Sequence, residues 1–213
     1  MDPMDLAALR AEYELGGLDE TELTPEPLAL FSTWFDAVRG AGIGEPNAMV
    51  LATSLDGVPS SRTVLLKGVE DGGFVFFTNY HSRKGVELAA NPRCSLLFGW
   101  YALQRQVRIE GIATRTSREV TETYFASRPR GSQLGAWASA QSSEVGSRAD
   151  LDAAYAEVEA RFAGADIPAP PHWGGYLVTP DSVEFWQGRR GRMHDRLQYR
   201  REGDGWSTRR LAP

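Results

Sequence analysis

From Pro25 onward the hydrophobic positions fall at helical spacing, with Leu28, Phe31, Phe35 and Val38 on one stripe and Gly40 and Gly42 where such a helix would close. The pattern then changes to short apolar runs. Residues 48–53 read as a strand, Asp56-Gly57 as a hairpin turn, and 62–67 as a second strand rich in Val and Leu. Further strands are expected at 74–78, 94–98 and 105–113, with a short helix at 82–91 that Pro92 terminates. Thr116 and Glu119 have the spacing of a capping box, so a helix is expected over 116–127, stopped by Pro129. Leu151, Tyr155, Val158 and Phe162 mark another amphipathic helix after Ser147. A proline-rich turn at 167–171 leads into strands at 176–178, 183–187, 192–200 and 206–211. Many strands in hairpin-length succession with helices inserted between them predict an α+β class built on an antiparallel barrel, rather than alternating βαβ units.

Composition agrees with an ordinary globular chain. Its 213 residues are 42% hydrophobic and 24% charged, which removes disordered and fibrous classes. A single cysteine, Cys94, and three histidines, His81, His172 and His194, leave no disulfide framework and no Cys/His zinc cluster. The N-terminus is acidic where a secretion signal needs positive charge, and no apolar run approaches a membrane span, so a cytoplasmic protein without membrane partners is expected.

The net charge of −5 hides an asymmetry. Residues 1–50 hold ten acids against two bases, a net −8, while the remainder holds 21 bases against 18 acids, a net +3. The total speaks against nucleic acid. The acidic residues 1–24 are read as an arm and 25–213 as one domain.

No dinucleotide fingerprint, P-loop or nucleophile elbow is present. Three clusters carry possible chemistry. Ser82 is a natural N-cap, yet Arg83 and Lys84 follow it in the first helical turn, where the macrodipole favours anions. Either a phosphate repairs that conflict or both side chains reach into water. In 192–196, strand periodicity puts Arg192, His194 and Arg196 on one face and Met193 on the other, which suits either a phosphorylated ligand or a solvated strand face. Tyr124 and Arg128 are one helical turn apart, with Arg130 and Ser132 beyond Pro129; they offer either a phosphate shell or, for Tyr124, aromatic packing. The aromatic runs FVFFT and EFWQG are core by default and could also supply a slot for a ring system.

These pieces coincide in one pattern. RTVLLK at 62–67, FFTNYHSRKG at 76–85, RQV at 105–107, YFASRPRGSQLGAWAS at 124–139, QSS at 141–143, PPHWGGY at 170–176, EFWQG at 184–188, RMHDR at 192–196 and the terminal RRLAP together resemble the pyridoxine (pyridoxamine) 5′-phosphate oxidase family, over essentially the whole chain from about Arg10. The resemblance implies an FMN-binding split β-barrel, Greek-key-like, with peripheral helices, and a homodimer with FMN at the subunit interface. It further implies FMN contacts at Arg62, Thr63, Val64, Leu65, Leu66, Lys67, Phe77, Thr78, Arg83, Lys84, Gln106, Gln141, Ser142, Trp186 and Arg196, with Arg83 and Lys84 on its phosphate.

By the same resemblance the substrate phosphate falls to Lys67, Tyr124, Arg128 and Ser132. Arg192, Met193 and His194 attend the pyridine ring, with Arg192 positioning it and His194 assisting proton removal, and Arg10 with Tyr13 form an arm that closes over the site. The implied reaction oxidises pyridoxine 5′-phosphate or pyridoxamine 5′-phosphate to pyridoxal 5′-phosphate with O2 as acceptor, releasing hydrogen peroxide, and ammonia from the amine, in vitamin B6 synthesis and salvage. Strict alternation sets Arg62 and Lys67 on opposite faces of one strand, so a bulge, a strand end near Gly68 or the dimer interface must bring both to ligands. Another flavin enzyme on the same barrel would not need Tyr124, Arg128 and Ser132 beside Arg192 and His194, and a non-catalytic carrier would show no oxygen consumption.

Overall fold

The computed structural model describes residues 12–213, so Arg10 lies outside the described residues. The described chain contains five α-helices and nine strands, and forms two compact units, each assembled from separate stretches. The strands hydrogen-bond in the order β2-β1-β5-β6-β7-β4-β3, with β8 on β7 and β9 on β8. Here β1 is Ala48–Leu55, β2 Val58–Leu65, β3 Gly68–Glu70, β4 Gly73–Asn79, β5 Arg93–Trp100, β6 Arg105–Arg115, β7 Trp173–Gln187, β8 Asp195–Glu202 and β9 Gly205–Arg210. Antiparallel pairing and helices between strands are as the hydrophobic pattern predicts. Among the described residues no helix is long and apolar enough to cross a membrane.

The first unit takes the described part of Met1–Pro46 together with Leu97–Ile109 and Asp181–Pro213. Its helix α1 (Pro27–Gly40) starts with proline where no intrahelical N–H is needed. It buries Pro27, Leu30, Phe31, Trp34 and Val38. The expected stripe is therefore rotated: Leu28 and Phe35 are only half-buried, because Leu30 and Trp34 complete the inward face. Phe31 packs edge-on against Phe98, with ring centroids 5.1 Å apart, and Trp34 against Phe185 at 5.2 Å. In this unit β7 pairs with β8 and β8 with β9.

The second unit is Asn47–Leu96 with Glu110–Pro180. Asp56 and Gly57 both have positive φ, 51° and 78°, the combination a two-residue hairpin loop between right-twisted strands requires. Asp71 and Gly72 repeat it at 49° and 74° between β3 and β4. The three-residue strand β3 is too short to leave a hydrophobic signature. The strand pairs β1 with β2, β3 with β4 and β4 with β7 are antiparallel.

Helices α2 (Arg83–Ala90), α3 (Arg118–Ala126), α4 (Arg130–Ala138) and α5 (Arg148–Arg161) belong to this unit. Ser82 caps α2 and Ser147 caps α5, as their positions predict. The cap of α3 is Ser117 rather than Thr116; its hydroxyl accepts from Val120 N–H, so the expected box is off by one residue. Helix α4 carries Gly131 and Gly135 and buries only Leu134, which is why neither propensity nor periodicity announces it. A cluster of Phe125, Leu134, Phe162, Ile167, Ala169 and Trp173 holds α3, α4 and the end of α5 to the start of β7. Cys94 is buried, which pushes its thiol pKa up to about 12 and makes it an unreactive packing residue.

Candidate functional site

The expected strands 176–178 and 183–187 form one continuous β7, while the expected strand 192–200 begins only at Asp195. Arg190–Arg192 is a 3₁₀ turn in which Gly191 and Arg192 take φ of 63° and 61°, so Arg192 lies outside the strand. The shared face of Arg192, His194 and Arg196 therefore does not form. Residues with left-handed backbone cannot continue a pleat.

Within the second unit a cleft of about 760 Å³ gathers most of the remaining candidates: Arg62, Thr63, Val64, Leu65, Lys67, Phe77, Thr78, Lys84, Tyr124, Arg128, Ser132 and Gln141. The problem of Arg62 and Lys67 is solved by a strand end. Strand β2 stops at Leu65; Leu66 N–H then donates to Asn47 O at 2.8 Å and Lys67 N–H to Val75 O at 2.8 Å. The backbone changes partner from β1 to β4 at this point, so Lys67 escapes the alternation and Leu66 turns into the core, 7% exposed.

At one part of the cleft Lys84 is 8% exposed and surrounded by neutral acceptors: Gln141 Oε1 at 3.1 Å, Thr78 Oγ1 at 3.2 Å and Ser82 Oγ at 3.4 Å. Burial, reinforced by the Arg62 charge and opposed by Glu87, lowers its pKa. Lys84 thus turns inward instead of into water. A buried ammonium that bonds no carboxylate, beside the capped start of α2, is a place for an anion.

Glu87, one turn further along α2, is 3% exposed. Its carboxylate accepts from Thr53 Oγ1 at 2.5 Å, Ser60 Oγ at 2.6 Å, Arg62 Nη2 at 3.0 Å and Arg83 Nε at 2.8 Å. Burial raises its pKa, but the hydrogen bonds from Ser60, Thr53, Arg83 and Arg62 outweigh it and hold the group at about 2. Arg62 commits both terminal nitrogens to the protein, on Leu51 O, Thr53, Ser60 and Glu87. Arg83 remains largely exposed while its Nε is fixed by Glu87.

The opposite character appears around Arg128, which lies just past the end of α3 instead of within it. Its guanidinium carbon sits 4.5 Å over the Trp173 ring and 5.4 Å from that of Phe125. Nη1 is buried without a hydrogen-bond partner. Burial lowers the Arg128 pKa, with Tyr124 acting in the other direction. Tyr124 is half-buried and stacks on Phe77, with centroids 4.0 Å apart, so packing and a place on the cleft wall are combined in one residue. Arg130 is drawn off to Ala165 O and Phe162 O and belongs to the scaffold.

Ser142, at φ 73°, lines a different hollow of the second unit with His81 and Arg83. The remaining candidates lie in the first unit. Trp186 and His194 have ring centroids 4.6 Å apart, and Tyr13 contacts both, at 5.8 Å and 5.5 Å. The Cβ of any residue replacing Gly188 would come within 2.9 Å of the Tyr13 ring, so glycine there allows Tyr13 to seat. Nδ1 of His194 accepts the Arg189 N–H at 3.1 Å. Arg196 forks onto Glu184, Nε to Oε1 at 2.7 Å and Nη2 to Oε2 at 3.2 Å, and Nη1 reaches Ala212 O at 2.8 Å. Gln106 is half-buried on β6, and Arg192 and Met193 are exposed.

Glu87, Thr53, Ser60, Trp173 and Glu184 are the organising residues that sequence reading passes over. Glu87 had a signal, since Arg83 stands four residues before it on the same helix face. Thr53 and Ser60 are brought together by strand register, as is Glu184 with the β8 strand that carries Arg196, and Trp173 meets Arg128 through the packing of α3.

The residues fit phosphorylated ligands: one buried lysine among neutral acceptors and one buried arginine nitrogen without any acceptor share a cleft. Comparison with known proteins agrees. Residues 36–162 match the family model described as pyridoxamine 5′-phosphate oxidase, and residues 173–213 match that of the pyridoxine 5′-phosphate oxidase C-terminal dimerisation region. A pyridoxine/pyridoxamine 5′-phosphate oxidase of a Nocardioides species is 59% identical over 100% of both chains. One from Rubrobacter xylanophilus is 58% identical over 98% of this chain and 97% of its own. Among solved structures, PhzG from Burkholderia lata, in complex with tetrahydrophenazine-1-carboxylic acid, aligns with a TM-score of 0.87 at 34% identity, covering 92% of this chain and 98% of that one. A related FMN-binding protein from Nostoc punctiforme, 16% identical with a TM-score of 0.71 over 90% of this chain and 100% of its own, shares the split-barrel type of fold alone. By sequence over its whole length, by both family models and by fold, the chain belongs to the pyridoxamine 5′-phosphate oxidase family.

Proposed function

We propose that this enzyme oxidises pyridoxine 5′-phosphate and pyridoxamine 5′-phosphate to pyridoxal 5′-phosphate, with O2 as electron acceptor, hydrogen peroxide as its product, and ammonia released from the amine, for vitamin B6 synthesis and salvage. It works as a homodimer. The observation that carries the reading is the pair of anion-seeking points in one cleft, Lys84 among neutral acceptors and Arg128 with an unpartnered nitrogen.

FMN is the cofactor and supplies the hydride acceptor. Arg62 to Lys67, Phe77, Thr78, Arg83, Lys84 and Gln141 hold it, with Gln106, Ser142, Trp186 and Arg196 as further contacts. Lys84 and Arg83 take its phosphate. Glu87 keeps Arg62 and Arg83 in fixed rotamers beforehand, so less ordering is required on binding.

Lys67, Tyr124, Arg128 and Ser132 take the substrate phosphate, which anchors the ring at a fixed distance from the reacting carbon. Arg192 positions the ring and His194 assists removal of the alcohol or amine proton, with Tyr13 covering the ring.

The test is turnover by purified protein reconstituted with FMN. Pyridoxine 5′-phosphate and pyridoxamine 5′-phosphate should drive oxygen uptake with one peroxide and one aldehyde formed per O2, and unphosphorylated pyridoxine should not. Protein that takes up no FMN, or that oxidises a tetrahydrophenazine carboxylate while leaving both phosphates untouched, refutes the reading.

A further inference from the structure

Two arginines face the cleft, and the protein treats them in opposite ways. Arg62 is held by a carboxylate and two hydroxyls, which occupy its terminal N–H groups. Arg128 is held by the flat faces of Trp173 at 4.5 Å and Phe125 at 5.4 Å, and its Nη1 stays without an acceptor. An aromatic face attracts a guanidinium through its quadrupole and fixes its plane, yet accepts none of the in-plane N–H groups. A carboxylate at the same place would neutralise the cation and use those donors.

Trp173 is itself closely packed. It is 6% exposed, its ring lies edge-on to Phe125 at 5.1 Å and nearly parallel to Phe77 at 5.5 Å, and its backbone pairs with Asn79 across the β4–β7 ladder. The Phe77, Tyr124 and Trp173 rings are close to parallel, within 20° of one another, so one aromatic stack carries the Tyr124 hydroxyl and the Arg128 guanidinium together.

We infer that Trp173 is a positioning residue that holds Arg128 as an uncommitted cation, and thereby sets the enzyme's preference for a phosphorylated over an unphosphorylated ring. This rests on the assignment of Arg128 to the substrate phosphate given above.

The experiment measures dissociation constants of pyridoxal 5′-phosphate and of pyridoxal for the full-length, FMN-loaded enzyme. Trp173→Leu should weaken pyridoxal 5′-phosphate about ten-fold and pyridoxal less than about two-fold, and Trp173→Phe, which retains a smaller face, should weaken the phosphate ligand about three-fold. In an Arg128→Ala background the same Trp173 substitutions should add less than about two-fold. If Trp173→Leu does not fold, Trp173→Phe and its pairing with Arg128→Ala decide the matter alone. The inference is overturned if the wild-type preference survives in the Trp173 variants, if both ligands weaken equally, or if the Trp173 effect persists in full without Arg128. A wild-type enzyme that binds both ligands equally instead refutes the phosphate assignment, and this inference falls with it.

Discussion

Arg62 and Glu87 form a part-buried ion pair at 3.0 Å across 25 residues of chain, joining the β1–β2 hairpin to α2. The same carboxylate holds Arg83 and two hydroxyls, so one side chain organises two of the arginines assigned to FMN. Losing it would leave Arg62 partly buried beside Lys84 without a counter-charge. Glu87→Ala should cost about 2–4 kcal/mol at pH 7, read as a lower urea midpoint, together with weaker retention of FMN on gel filtration.

The acid limb follows from the same group. Its folded pKa of about 2 lies below the unfolded value of 4.5. The stabilisation it contributes is therefore complete above about pH 5 and fades as pH falls from there toward 2. Urea midpoints measured at pH 7, 5 and 3 should converge between wild type and Glu87→Ala at the acid end. A constant gap across that range would show that the carboxylate is not the titrating element.

Arg128 makes a different prediction. If Arg128 takes the substrate phosphate as proposed, Arg128→Ala should raise KM for pyridoxine 5′-phosphate about 30- to 100-fold. Thermal stability should hardly fall, since the buried, unpartnered Nη1 is removed with it. Retained KM with a large loss of stability would reverse that division.

Gly85 tests how α2 is seated. A Cβ at this position would stand 2.2 Å from the Tyr80 carbonyl oxygen and 2.5 Å from its carbon, both backbone atoms. Neither can yield as a flexible side chain would, so Gly85→Ala must shift the start of α2, which carries Arg83, Lys84 and Glu87. A loss of about 2–3 kcal/mol and of FMN retention is expected in thermal melts with and without added cofactor. Wild-type melting in both would mean that α2 can slide freely.

What the chain reveals by itself divides along physical lines. Strands such as β4, buried on nearly every residue, and caps such as Ser82 and Ser147 are local features, and local features are legible. The rotated face of α1 was not, because Trp34 is drawn inward by the Phe185 ring from a distant segment. The cations Arg62, Lys67, Lys84 and Arg128 could be named from sequence. That Arg62 is committed and Arg128 is not could not, because that depends on Glu87 and Trp173, brought there by strand register and helix packing. The Arg192 turn was misread for a simpler reason. A left-handed φ at a non-glycine residue leaves no trace in a hydrophobic pattern.

His194 offers the last test. Its Nδ1 accepts the Arg189 N–H, so in the neutral ring the proton resides on Nε2, and this arrangement makes Nε2 a donor. To take a proton from substrate at Nε2 the ring must adopt the other tautomer, with Nδ1–H, and release Arg189. Proton transfer by His194 in the proposed reaction would therefore break the bond from Arg189 N–H. His194→Asn keeps a carbonyl oxygen that can accept the Arg189 N–H but cannot exchange a proton near neutral pH. The kcat should fall about 100-fold, with KM within about three-fold of wild type. Arg189→Pro, which deletes the N–H donor, should change kcat without removing activity. An Asn variant with wild-type turnover would take His194 out of the chemistry and leave it as the aromatic partner of Trp186 and Tyr13.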